Sequence, residues 1–177
     1  MALDTFIAGR YSGTYATVDV GIVKEGYELT LDTEMEDVGE TDAWGNTVID
    51  GIWRGGNCFL QFTSVAYKAG SLAAFWPYGG QIGAAGVLGI LVDDSIAAPN
   101  KLPIGSLASD IAKALVLTAA AGTPAAATPA TVTASKALLA KNNNGRLLFN
   151  SKLREVPVRL RLYPYTSSSV TRFFSTS

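Results

Sequence analysis

Nine consecutive residues near the end of the chain, "EVPVRLRLY" from Glu155 to Tyr163, alternate without exception. Val156, Val158, Leu160 and Leu162 fall on one side. Glu155, Pro157, Arg159, Arg161 and Tyr163 fall on the other. A period of two is the mark of a strand with one buried face. Pro157 has no N–H to give to a ladder, so it belongs at an edge or near the strand start. The same period recurs in "YELTL", where Tyr27, Leu29 and Leu31 oppose Glu28 and Thr30. In "CFLQFTS" the shared side holds Cys58, Leu60 and Phe62. Thr47–Trp53 reads as another strand. "RGGN" separates it from "CFLQFTS", and Gly55 and Gly56 predict a bulge or a sharp bend there. "KEG", just ahead of "YELTL", predicts a tight turn.

Further along, "ALVL" and "TVTASKALL" are strand-like. The Ala/Thr/Pro stretch between them is then a hairpin loop rather than a low-complexity linker. "VTRFFSTS" reads as a closing strand. Residues 1–17, polar and glycine-containing, read as an N-terminal arm. The best helix candidate runs from Ser64 to Gly80. Ser64 would cap it, Leu72, Phe75 and Trp76 recur at helical spacing, and Pro77 and Gly79 would end it. No internal repeat and no domain boundary interrupt the chain. The prediction is one mainly-β domain over residues 1–177, a β-sandwich or partial barrel of about six or seven strands with one flanking α-helix.

Composition adds an expectation of self-association. The 177 residues are 48% apolar and only 16% charged, against about 25% charged for an average soluble domain. Such a chain buries more surface than a free monomer of its size needs. The net charge of −1 hides a division. Residues 1–67 hold eleven acids and three bases, net −8; residues 68–177 hold four acids and eleven bases, net +7. Two such surfaces either neutralise one another within a chain or attract copies of it. The longest apolar stretch, Ile82–Val92, is shorter than the roughly 20 residues a bilayer-spanning helix takes. The N-terminus lacks the basic start and apolar core of a signal peptide. Synthesis in a cytoplasm with no membrane anchoring is expected.

The acid is concentrated. "DTEMEDVGETDAWGNTVIDG" carries seven carboxylates and no base, and residues 32–46 of it read as an acidic inter-strand loop. With no histidine in the chain, the commonest general base is missing. The lone Cys58 excludes thiolate clusters and reads as a small buried hydrophobe. No phosphate-binding loop is present, and "GQIGAAG" has the wrong glycine spacing for a dinucleotide turn. Asp93 and Asp94 read as a solvated loop. The acidic segment lacks the spacing of a calcium hand, although a loose calcium site stays open. Trp44, Trp53, Trp76 and Tyr78 suit a sugar platform as well as they suit burial. No catalytic residue, metal ligand or cofactor is expected. Binding to nucleic acid through this segment is excluded by its sign, but a channel that passes DNA without holding it should be acidic.

Several blocks in order carry a resemblance. These are "VDVGIVKEGYELTL…EDVGETDAWGNTVIDGIWRGGNCFLQFT", "AFWPYG", "LVLTAAAGTPAAATPATVT" and "SKLREVPVRLRLYPY…TRFFST". Together they resemble the tail tube (major tail) proteins of long-tailed bacteriophages over roughly residues 15–177. The resemblance implies a structural virion protein and not an enzyme. Six copies would form a ring whose inner strands join into one β-barrel, and rings would stack into a tube that conducts the genome. It also implies loops and arms that reach neighbouring rings, an acidic lumen, other tail proteins at the tube ends, and a place in the virion tail after synthesis in the host. On this expectation Glu28, Asp32, Glu34 and Glu36, which share one strand parity, are candidates to face the lumen. Asp37, Glu40, Asp42 and Trp44 are candidates for an inter-subunit loop. Arg154, Arg159 and Arg161 are candidates for a basic face that meets a neighbour's acids. The alternatives are another β-sandwich virion component, such as a contractile-tail inner tube or a decoration protein, or a small calcium- or sugar-binding module.

Overall fold

The computed structural model describes residues 10–41, 45–66, 107–120, 129–141 and 155–177. Ten strands and one short helix occur among them. The strands are β1 (Tyr11–Tyr15), β2 (Val18–Asp19), β3 (Ile22–Thr41), β4 (Gly45–Ala66), β5 (Lys113–Ala119), β6 (Thr131–Leu139), β7 (Val156–Leu162), β8 (Tyr165–Ser167), β9 (Val170–Arg172) and β10 (Ser175–Thr176). Helix α1 is a single turn, Ala108–Ile111, ahead of β5. The main sheet runs β2-β1-β5-β6-β7-β4-β3, with β10 on a side branch against β6, and β8 and β9 form a separate hairpin. All pairings are antiparallel. The fold is therefore mainly β, as the alternation predicts.

The sheet divides along β6. Its first half pairs with β10, and its last residues, Ala137–Leu139, pair with β7. The two parts close over one core. Tyr15, Val20, Leu115, Leu117, Ala134 and Ala137 come from one part. Cys58, Leu60, Phe62 and the four alternating apolar residues of β7 come from the other. The β7 alternation is realised residue by residue, with Val156, Val158, Leu160 and Leu162 all buried. Pro157 is the second residue of the strand, opposite Thr63, where a missing donor is tolerated. Tyr15 reaches across the core to donate its hydroxyl to the Ala137 carbonyl at 3.1 Å, and burial pushes its phenol up to about 12.

Several sequence expectations change. Residues 11–17 are not an arm: β1 pairs with β5 over five positions and then turns through Ala16-Thr17 into β2. Ser64 caps no helix. It is the fourth inward position after Cys58, Leu60 and Phe62, fully buried in β4, and it donates to the Val20 carbonyl at 3.2 Å. Val65 and Ala66 continue β4; the remainder of that helix candidate, including Trp76 and Tyr78, lies outside the described residues, as do Asp93 and Asp94. Thr47–Trp53 and "CFLQFTS" are one strand. Gly55, at φ +104°, marks a bulge within it that leaves Arg54 without an opposite number on β3. "KEG" does not reverse the chain either. Glu25 and Gly26 take left-handed φ values inside β3, and with Tyr27 they stand opposite Phe62 alone, which kinks the strand.

Cys58 is fully buried, and burial pushes its thiol up to about 11. A thiolate is the reactive form, so Cys58 should resist a maleimide at pH 8 in the folded chain and react once denatured. Mass spectrometry checks this, and rapid labelling of the folded protein would contradict the packing described.

Candidate functional site: a two-faced hairpin

β7 pairs with β4 only from Cys58 to Ser64. From Asn57 outward, no other strand among the described residues joins the β3–β4 ladder, which runs from Asp32↔Asn57 to Thr41↔Gly45. At about 3.3 Å per residue, Asp32–Thr41 spans roughly 30 Å. The acidic segment is thus chiefly strand, not loop, as far as Thr41. Asp42 and Trp44 lie outside the described residues.

Strand alternation gives this extension two unlike faces. One continues the core-facing side of the sheet and carries Leu31, Met35, Val48 and Trp53. These are 60%, 60%, 55% and 62% exposed, since nothing among the described residues covers them. Leu29, at its base, is partly covered by the body. The other face carries Glu28, Asp32, Glu34 and Glu36. The β4 bulge at Arg54 leaves the parity of β3 unbroken through this stretch, so the four acids do share a face. Asp37 shares the parity of Met35 and stands opposite Gly51, within the ladder rather than in a loop. Glu40 belongs to β3 as well.

The arginines join this acidic face. Register aligns Glu28 with Gln61 and Arg159, and Thr30 with Phe59 and Arg161. Three strands therefore lie side by side: acids on β3, amides and an aromatic on β4, guanidinium groups on β7. The amides bridge the charges. Gln61 Nε2 donates to Glu28 Oε2 at 2.6 Å. Asn57 Nδ2 donates to Glu34 Oε1 at 2.9 Å and accepts from the Arg161 guanidinium. Arg54, displaced by the bulge, pairs with Glu36. Arg159 stacks on the Phe59 ring at 4.1 Å, and Arg161 lies 5.5 Å from the centre of the Tyr163 ring. The candidate acids and the candidate basic residues Arg159 and Arg161 are thus neighbours on one face of one chain. Arg154 lies outside the described residues. This relay depends on the pairing of positions 34, 57 and 161, which no local pattern in the sequence reveals.

At the base of β3, Lys24 pairs with Glu155 at 3.0 Å, and that carboxylate raises the lysine's affinity for its proton. A cleft of about 650 Å3 opens beside it, between Tyr11 on β1 and Ile22–Tyr27 on β3. The Tyr27 hydroxyl is buried there without a hydrogen-bond partner. Burial, with a contribution from Asp19, pushes it up to about 12. Among the described residues no group of three or more His, Cys, Asp or Glu converges to hold a metal, and no helix is long and apolar enough to cross a membrane. Among the described residues the arrangement offers surfaces and an open strand edge. Comparison with protein-family models and with curated proteins finds no match.

Proposed function

We propose that the protein is a structural subunit of a phage tail tube, self-assembling into hexameric rings that stack into a DNA-conducting tube. The observation that carries this reading is the extension formed by β3 and β4. A lone two-stranded hairpin is marginally stable in water. Among the described residues this one also leaves an apolar face bare and ends the sheet on the unpaired outer edge of β3. Both features are completed when other copies pair with the edge and cover the face. The opposite face suits a wall along which DNA slides. Its outermost strand is acidic, and its arginines are held behind a row of amides and aromatic rings. DNA would pass over it without specific binding. The resemblance of four sequence blocks in the same order supports the same reading, which includes other tail proteins at the tube ends and a place in the virion tail.

Negative-stain microscopy of the purified chain tests this most directly. Tubes or six-fold rings are the expected result. Dispersed monomers at every concentration tried would defeat the proposal.

A further inference from the structure

We propose that the open edge of β3 is closed to β3 of a second copy by its own carboxylates, so that its partner in self-association is an unlike edge of that copy. Among the described residues nothing pairs with the outer edge of β3, and an open edge of this kind is an invitation to strand pairing. The simplest response is a two-fold dimer in which β3 lies antiparallel to itself and like faces align. The positions of the acids oppose every central register of such a dimer. A two-fold axis at Asp32 sets Asp32 against its own copy and Glu28 against Glu36. An axis at Thr33 sets Asp32 against Glu34. An axis at Glu34 sets Glu34 against its own copy and Asp32 against Glu36. Like charges directly opposite one another destabilise a strand pair.

The nearby cations do not remove the conflict. Arg54 offsets Glu36 alone. Lys24 is engaged by Glu155. Arg159, stacked on Phe59, and Arg161, bound to Asn57, both stand on β7, two strand spacings or roughly 10 Å from β3. At the other end of the sheet, β1 carries no charged residue and β2 only Asp19. An unlike edge therefore brings only the Asp19 carboxylate toward the acids of β3. Pairing of unlike edges is head-to-tail, the kind of contact that closes rings or runs on as filaments. This head-to-tail half rests on the tube-subunit reading; the exclusion of β3 by β3 does not.

Thr33 is exposed on β3, while Cys58 is buried, so Thr33→Cys supplies one accessible thiol. The full chain carrying it is treated, when dilute, with a short bifunctional thiol reagent. The reaction is run with the native carboxylates, with Glu28→Gln, Asp32→Asn, Glu34→Gln and Glu36→Gln combined, and with the native carboxylates in about 1 M salt, where the screening length falls to about 3 Å. Covalent dimers should be scarce in the first case. They should rise on the order of tenfold in the second, the product of several opposed pairs, and rise part of the way in the third. Equal dimer yields in all three would overturn the proposal. Gain on neutralisation or in salt, with grids free of rings and tubes, would uphold the exclusion while removing the tube reading.

Discussion

Leu160→Ala is expected to lower the unfolding free energy by about 2–5 kcal/mol, the range for a buried leucine whose site cannot collapse fully. Leu160 is fully buried and sits opposite Leu60 on one side and Leu139 on the other, where β4, β7 and β6 meet. Its loss opens a cavity at the junction of the two parts of the sheet, where neither part can move in alone. Total stabilities of single domains are about 5–15 kcal/mol, so the change consumes a large share. Urea denaturation followed by circular dichroism measures it. A loss under about 1 kcal/mol would show that the junction is not close-packed.

Gly56→Ala should injure the extension rather than the core. A Cβ on Gly56 would lie 2.6 Å from the Asp32 carbonyl oxygen and 3.6 Å from the Thr33 Cα. Those atoms belong to the facing backbone and cannot retreat without opening the ladder at Asp32↔Asn57. Overpacking of this kind costs about 1–3 kcal/mol. Because the outer ladder is two strands wide, the expected response is local opening. Amide exchange should accelerate over Asp32–Thr41 and Gly45–Asn57, with little change in β5, β6 and β7, and assembly should weaken. Gly51→Ala is the informative contrast. Its Cβ would meet the Met35 terminal methyl at 2.8 Å, the far end of a flexible side chain that can swing clear. Equal exchange profiles for the two variants would refute the argument.

The body of the fold was legible because burial writes itself into sequence. β7 is buried on one face along its whole length, and its alternation is complete. β5 was readable for the same reason, with Leu115 and Leu117 buried, whereas β6 buries Ala134 and Ala137 across a register shift and alternates only in part. The extension was harder because neither of its faces is buried by the described residues. With no burial to enforce a pattern, seven acids in the segment outweighed the period-two signal that continues through Leu29, Leu31 and Met35. That continuing parity on β3 was the available clue. Ser64 shows a related conflict: a serine before an Ala-rich run suits a cap, yet the count from Cys58 places it inward. The joining of Glu34, Asn57 and Arg161 had no local signal. It arises from the β3–β4 bulge and the β4–β7 register together, both set by tertiary pairing.

β4 itself has a mechanical consequence. It is one uninterrupted strand of 22 residues, with its outer half in the extension and its inner half, Cys58–Ser64, clamped between β3 and β7. A pull on the extension along its axis therefore enters the middle of the sheet through covalent backbone, with no hinge loop in the path. The load falls on the flanking ladders in shear, where rungs must give way together rather than one by one. An extension built this way can hold tension without first unravelling at its root.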